Sequence, residues 1–212
     1  MQDKYILAID CATGPCSAAV WKNGAIAGYA EDLRPTIQSS RLVPLIEDVL
    51  RQAQLTYKDL TAVACTTGPG SFTGIRIGLA TARGIAYAAG IHGLGFTTLD
   101  VVAYGLKDTH KNIFAVLNAG KGEWYFQGFS VEPYWNAIDT AQVASPEKAA
   151  NAAQANAQWV GNIDGENIIK AFPRADNLAA LAAASTSATP LSPFYIRPPD
   201  ITMPKVKDKS ML

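Results

Sequence analysis

Two stretches carry residue types that could handle an anion. Asp10 closes the apolar run Lys4-Tyr-Ile-Leu-Ala-Ile-Asp10, and the turn residues Thr13 and Gly14 follow it. The second stretch is Gly68-Pro-Gly-Ser-Phe-Thr-Gly74, a glycine turn that opens a helix. Backbone N–H groups at such a helix start attract anions. Its G-x-G-x-x-x-G spacing is one residue longer than the dinucleotide fingerprint, Pro69 removes a donor, and it follows the fourth strand rather than the first. Nicotinamide binding is therefore disfavoured. Two readings stay open: an anion or nucleotide contact using Asp10, Thr13, Gly68 and Gly70, or a structural turn that sets the helix against the sheet.

No catalytic constellation accompanies these stretches. The histidines are His92 and His110, outside any metal-ligand spacing, and there is no Cys-x-x-Cys, nucleophile elbow or Walker lysine. No catalytic residue and no metal ligand is assigned. Cys11, Cys16 and Cys65 read as reduced, small buried side chains. Lysine plus arginine balances aspartate plus glutamate, 18 against 18. That neutrality argues against a large nucleic-acid footprint. The chain enters a strand-like run without a signal peptide, and its apolar stretches are too short or broken to span a bilayer. A cytoplasmic protein with no membrane partner is expected.

The elements around these residues follow from periodicity and turn chemistry. Residues 4–10, 17–21 and 25–31 read as a three-stranded meander, with a hairpin at Lys22-Asn-Gly24. A helix over about Arg41–Gln54 is capped by Ser39 or Ser40. Its apolar residues Leu42, Val43, Leu45, Ile46, Val49, Leu50 and Ala53 form a stripe wider than a one-sided helix needs. Either the chain covers two of its sides or a partner does. Thr61–Thr67 is a strand. Ser71 caps a second helix that runs to Ala89 and stops at Gly90. One side of that helix is a small-residue ridge, Gly74, Gly78, Ala82 and Ala86, which lets another backbone approach. Another carries Thr73, Arg76, Ala80, Arg83 and Tyr87. Residues 1–108 form an α/β lobe with a mixed sheet, residues 109–199 a smaller one, and residues 200–212 a mobile tail. A helix near Asp176–Ala184 is capped by Asp176.

Asp10 with its Thr/Gly turn resembles the opening phosphate loop of actin-like ATPases, although Asn118 stands where their second lobe needs an acid. A closer resemblance comes from Ile6-Leu-Ala-Ile-Asp-Cys-Ala-Thr13, Gly68-Pro-Gly-Ser-Phe-Thr-Gly-Ile-Arg-Ile-Gly78 and Gly122-Glu-Trp-Tyr125, with Tyr195-Ile-Arg197 near the end. These resemble the TsaB (YeaZ) family. The resemblance implies an α/β, two-lobe actin/Hsp70-like (ribonuclease H-like) fold, with mixed sheets flanked by helices. It implies a non-catalytic subunit that binds and activates TsaD, the transferase that places threonylcarbamoyl on adenosine 37 of ANN-decoding tRNAs. TsaE, an ATPase, joins the complex, a homodimer forms when the subunit is alone, and tRNA is met indirectly. No cofactor is implied, with ATP expected only at a site shared within the complex.

The resemblance also implies that the first two helices meet the equivalent helices of TsaD. Leu42, Leu45, Ile46, Val49, Phe72, Arg76, Ala80 and Arg83 are the expected contacts. TsaD's metal-binding histidine pair would fall at Thr98 and Val102, neither of which ligates a metal. Gln38 replaces a family histidine, and Asn118-Ala-Gly120 replaces an Asp-Ala-Arg. The rival readings are an actin-like ATP-binding kinase or ATPase using Asp10 and the Gly68 loop, and a metallopeptidase.

Overall fold

The structure, a computed structural model, describes residues 3–197; the tail expected at 200–212 lies outside them. The first sheet has the order β3-β2-β1-β4-β5, built from β1 (Tyr5–Asp10), β2 (Cys16–Lys22), β3 (Ala25–Asp32), β4 (Ala62–Thr66) and β5 (His92–Phe96). β1, β2 and β3 are antiparallel neighbours, and β4 and β5 run parallel to β1. Leu7 and Ile9 point to one face of β1, Ile6 and Ala8 to the other, and all four are buried. That two-sided burial is why β1 reads as an unbroken apolar run.

A second sheet repeats this plan around β6 (Asn112–Gly120). β7 (Glu123–Ser130) and β8 (Asn136–Ala137) are antiparallel on one side, and β10 (Gln158–Gly161) and β11 (Ile168–Lys170) are parallel on the other, with β9 (Gln142–Ala144) pairing β7. This is the duplicated, two-lobe α/β arrangement of actin-like, ribonuclease H-like folds. β9 and β11 escape the sequence reading because each has three residues, too few for a period to show.

Helices fill three layers around the sheets. α1 (Gln38–Ala53) and α2 (Phe72–Ala89) cover the outer face of the first sheet, and α4 (Pro146–Ala152) covers the outer face of the second. Between the sheets lie α3 (Thr98–Tyr104) and α5 (Ala175–Ala184). They are exchanged: α3 follows the first sheet in sequence but packs on β6, β7 and β10, while α5 follows the second sheet and packs on β1 and β2. In the second half, residues 162–167 form only a loop between β10 and β11, where the first half has α2.

Two helix starts differ from expectation. α1 begins at Gln38 with Ile37 before it and no side-chain cap, so Ser39 and Ser40 lie inside its first turn. Asp176 does not cap α5; it sits in the first turn, held by Arg174 at 2.7 Å, where its charge suits the helix dipole. The Ala175 N–H is capped from a distance by the Ser17 hydroxyl of β2, at 3.0 Å, a partner that no local pattern could reveal.

Candidate docking face and interlobe cleft

The Ser71 hydroxyl caps α2 by accepting from the Gly74 N–H at 3.3 Å. The small-residue ridge of α2 then turns inward. A Cβ on Gly74 would stand 2.0 Å from the Cys11 carbonyl oxygen, one on Gly70 2.2 Å from that of Ala12, and one on Gly78 3.2 Å from the Cys65 sulfur. The Ser71 N–H donates to the Ala12 carbonyl at 2.7 Å. The glycines thus seat α2 on the end of β1, and the backbone they admit is the chain's own.

The opposite side of α2 is bare. Phe72, Thr73, Arg76, Ala80, Arg83, Gly84 and Tyr87 are all exposed, Tyr87 to 92%. Four of the expected contacts, Phe72, Arg76, Ala80 and Arg83, lie on this face. The other four do not: Leu42, Leu45, Ile46 and Val49 are buried in the core between α1 and the first sheet. They cannot form a surface, because the wide stripe of α1 is covered by β2, β3 and α2 of the same chain. Val43, 47% exposed, is the apolar residue that α1 leaves in solvent.

The face is stiffened by residues 189–197, which run as a strap beside it. Thr189 bridges to Gly95 of β5, and the Phe194 N–H donates to the Thr67 carbonyl at 2.8 Å. Arg83 Nε donates to the Leu191 carbonyl at 2.6 Å. The Arg76 guanidinium lies 3.6 Å from the centre of the Phe72 ring, and its Nε reaches the Tyr195 hydroxyl at 3.4 Å. Tyr195 stacks on Phe72 with ring centroids 5.8 Å apart. Tyr195 thus joins the face, which helix periodicity could not indicate since it lies on another element. The strap ends at Arg197, which pairs with Glu123 and donates to the Ala119 carbonyl at 2.6 Å, both on the β6–β7 hairpin of the second lobe.

Beneath the N-terminus of α2 an interlobe cleft of ≈ 390 Å³ is lined by Thr13, Gly14, Gly70 and Ser71 from one lobe and by Asn118, Gly120, Tyr125 and Asn162 from the other. Asp10 lies below it, 1% exposed. Its Oδ1 accepts from the Thr66 hydroxyl at 2.6 Å and the Ala12 N–H at 3.2 Å; Oδ2 has no partner among the described residues. Burial pushes its carboxyl up to about 7, against the opposing effect of those hydrogen bonds. Gly68 stands apart from the cleft. A Cβ there would meet the Phe194 carbonyl oxygen at 2.7 Å, so it makes room for the strap. The Gln38 amide donates to the Gly14 carbonyl, and Asn118 Oδ1 accepts from the Gly120 N–H at 2.7 Å, so both departures serve local structure. The lining offers hydroxyls and amides and no basic side chain, a poor match to a nucleotide's phosphates.

A family model described as TsaD, tRNA N6-adenosine threonylcarbamoyltransferase, matches residues 38–189, from the start of α1 to the start of the strap. The tRNA threonylcarbamoyladenosine biosynthesis protein TsaB of Escherichia coli is 34% identical over 73% of this chain and 69% of its own length. The protein of the same name from Haemophilus influenzae is 30% identical over 93% of this chain and 95% of its own. The chain belongs to the TsaB (YeaZ) family. YeaZ from Pseudomonas aeruginosa, a solved structure, shares the fold with a TM-score of 0.79 at 24% identity, over 91% of this chain and 99% of that one. Where the TsaD-type histidine pair was expected to fall, Thr98 and Val102 are buried in α3.

Proposed function

We propose that this chain is a non-catalytic subunit of the machinery that makes threonylcarbamoyladenosine at position 37 of ANN-decoding tRNAs, and that it acts by binding and activating a TsaD transferase in the cytoplasm. Membership of the TsaB family supports the pathway. The observation that carries the role is the bare α2 face, where Phe72, Arg76, Ala80, Arg83 and Tyr87 line up in solvent with Tyr195 beside them. Aromatic and arginine side chains dominate interface hot spots, and Ala80 gives a close-approach point at the middle. TsaD docks on this face in our reading, and a second copy of the chain occupies it when TsaD is absent. TsaE joins the heterodimer, and tRNA is met through TsaD. No resident cofactor is assigned; ATP belongs to a site shared within the assembly.

The ATP-binding alternative built on Asp10 and the Gly68 loop is not favoured, since Gly68 lies under the strap and the cleft has no basic lining residue. Co-purification with the cognate TsaD tests the proposal. Ala80→Glu puts a charge at the centre of the face and is expected to weaken the heterodimer at least tenfold while the isolated chain stays folded by circular dichroism. Wild-type affinity of Ala80→Glu for TsaD would sink the face assignment.

A further inference from the structure

Two of the cysteines bracket the first hairpin. Asp10 pairs with Ser17 across β1 and β2, so the next residues outward, Cys11 and Cys16, oppose one another where the chain turns. Opposed residues on antiparallel strands have Cα atoms about 4.5–5.5 Å apart, within the span of a disulfide. Both side chains enter the same core cluster under α1 and α2. Each thiol is the chief influence on the other: Cys11 lowers the Cys16 thiol, and Cys16, with burial, raises that of Cys11. Two adjacent thiols can supply an attacking and a resolving sulfur. Cys65 is placed differently, on β4, with its thiol donating to the Thr66 carbonyl at 3.4 Å.

We propose that Cys11 and Cys16 are a reversible redox pair, which a hydroperoxide closes into an intrachain disulfide across the hairpin. Cys16, as thiolate, attacks one peroxide oxygen; the O–O bond breaks, and the departing oxygen takes up the proton that Cys16 released. The products are a Cys16 sulfenic acid and an alcohol, or water when the oxidant is hydrogen peroxide. Cys11 Sγ then attacks Cys16 Sγ and gives up its proton. The S–S bond forms, the S–O bond breaks and the oxygen leaves as water, so two electrons pass from the thiol pair to the peroxide.

Both thiols are covered, Cys11 being 1% and Cys16 0% exposed. They are covered by the core cluster they share with α1 and α2, while the turn Thr13-Gly-Pro15 that joins them is half-buried, with Thr13 and Gly14 lining the interlobe cleft. The oxidant therefore enters by local opening of that turn, which makes the reaction slower than at an exposed thiol. The bridge would fix the strand end on which α2 is seated, because the Cys11 and Ala12 carbonyls are the atoms its glycines approach.

The test uses the full-length folded chain, exposed to hydrogen peroxide, quenched in acid, alkylated in denaturant and mapped by mass spectrometry. A Cys11–Cys16 linked peptide that dithiothreitol reverses, with Cys65 alkylated throughout, is the expected result. Cys16→Ser abolishes the linked species, and Cys65→Ser retains it. The wild-type map stands even where a variant fails to fold. Full alkylation of Cys11 and Cys16 after peroxide overturns the proposal, as does a bridge to Cys65 or sulfinic acid on Cys16 without a bridge.

Discussion

Burial raises the Asp10 carboxyl in spite of two hydrogen bonds that favour its anion. Its folded value of about 7 lies above the ordinary 3.8. The folded state thus binds this proton more tightly than the unfolded chain does. The resulting stability is complete below pH 4 and is lost as pH rises to 7, by at most a few kcal/mol. Asp10→Asn mimics the neutral form, and urea titrations from pH 4 to 8 should show that loss reduced or absent in the variant. An identical fall in both proteins would exclude Asp10 as its source. Asp10 and Ser71 were legible as a strand end and a helix start, but the Thr66 hydroxyl on Asp10 and the Ala12 carbonyl on the Ser71 N–H come from distant parts of the chain. Gly68 was only half legible. Its turn could be read from Gly-Pro-Gly, but the Phe194 carbonyl that approaches it comes from the far end of the chain.

In α2, glycines of one helix have opposite meanings. Gly74→Ala drives a Cβ into the Cys11 carbonyl, and the expected cost is about 2–3 kcal/mol as the helix is pushed off its seat. Gly84 has nothing within 4 Å of its missing Cβ, so Gly84→Ala should stabilise by about 0.5–1 kcal/mol through helix propensity alone. Paired denaturant melts check both signs, and equal effects would contradict the orientation of α2. Helical spacing showed which residues share a side of α2. It could not show which side faces the sheet, because a ridge of Gly and Ala suits either a sheet or a partner. The same gap misled the reading of α1, whose apolar stripe is wide because neighbours within the chain cover it.

Across the whole molecule the strap joins the lobes. Arg197 holds the β6–β7 hairpin through Glu123 and the Ala119 carbonyl, while Arg83 and Arg76 hold the strap's middle. A partly exposed ion pair contributes at most about 1 kcal/mol. Arg197→Ala should therefore leave the melting temperature nearly unchanged yet speed hydrogen exchange at the Phe194 N–H, and unaltered exchange there would show that the strap is held elsewhere. The sequence reads as two α/β lobes, without the strand plan that repeats in them. The exchange of α3 and α5 was not legible either, since each helix carries ordinary apolar residues that name no sheet. That exchange means a cut at residue 108 does not yield two autonomous units. Each fragment would lack the inner helix that shields its sheet while carrying the one that shields the other's. Expressed apart they should aggregate; co-expressed they should reassemble, so the native chain is a natural template for a split-fragment complementation reporter.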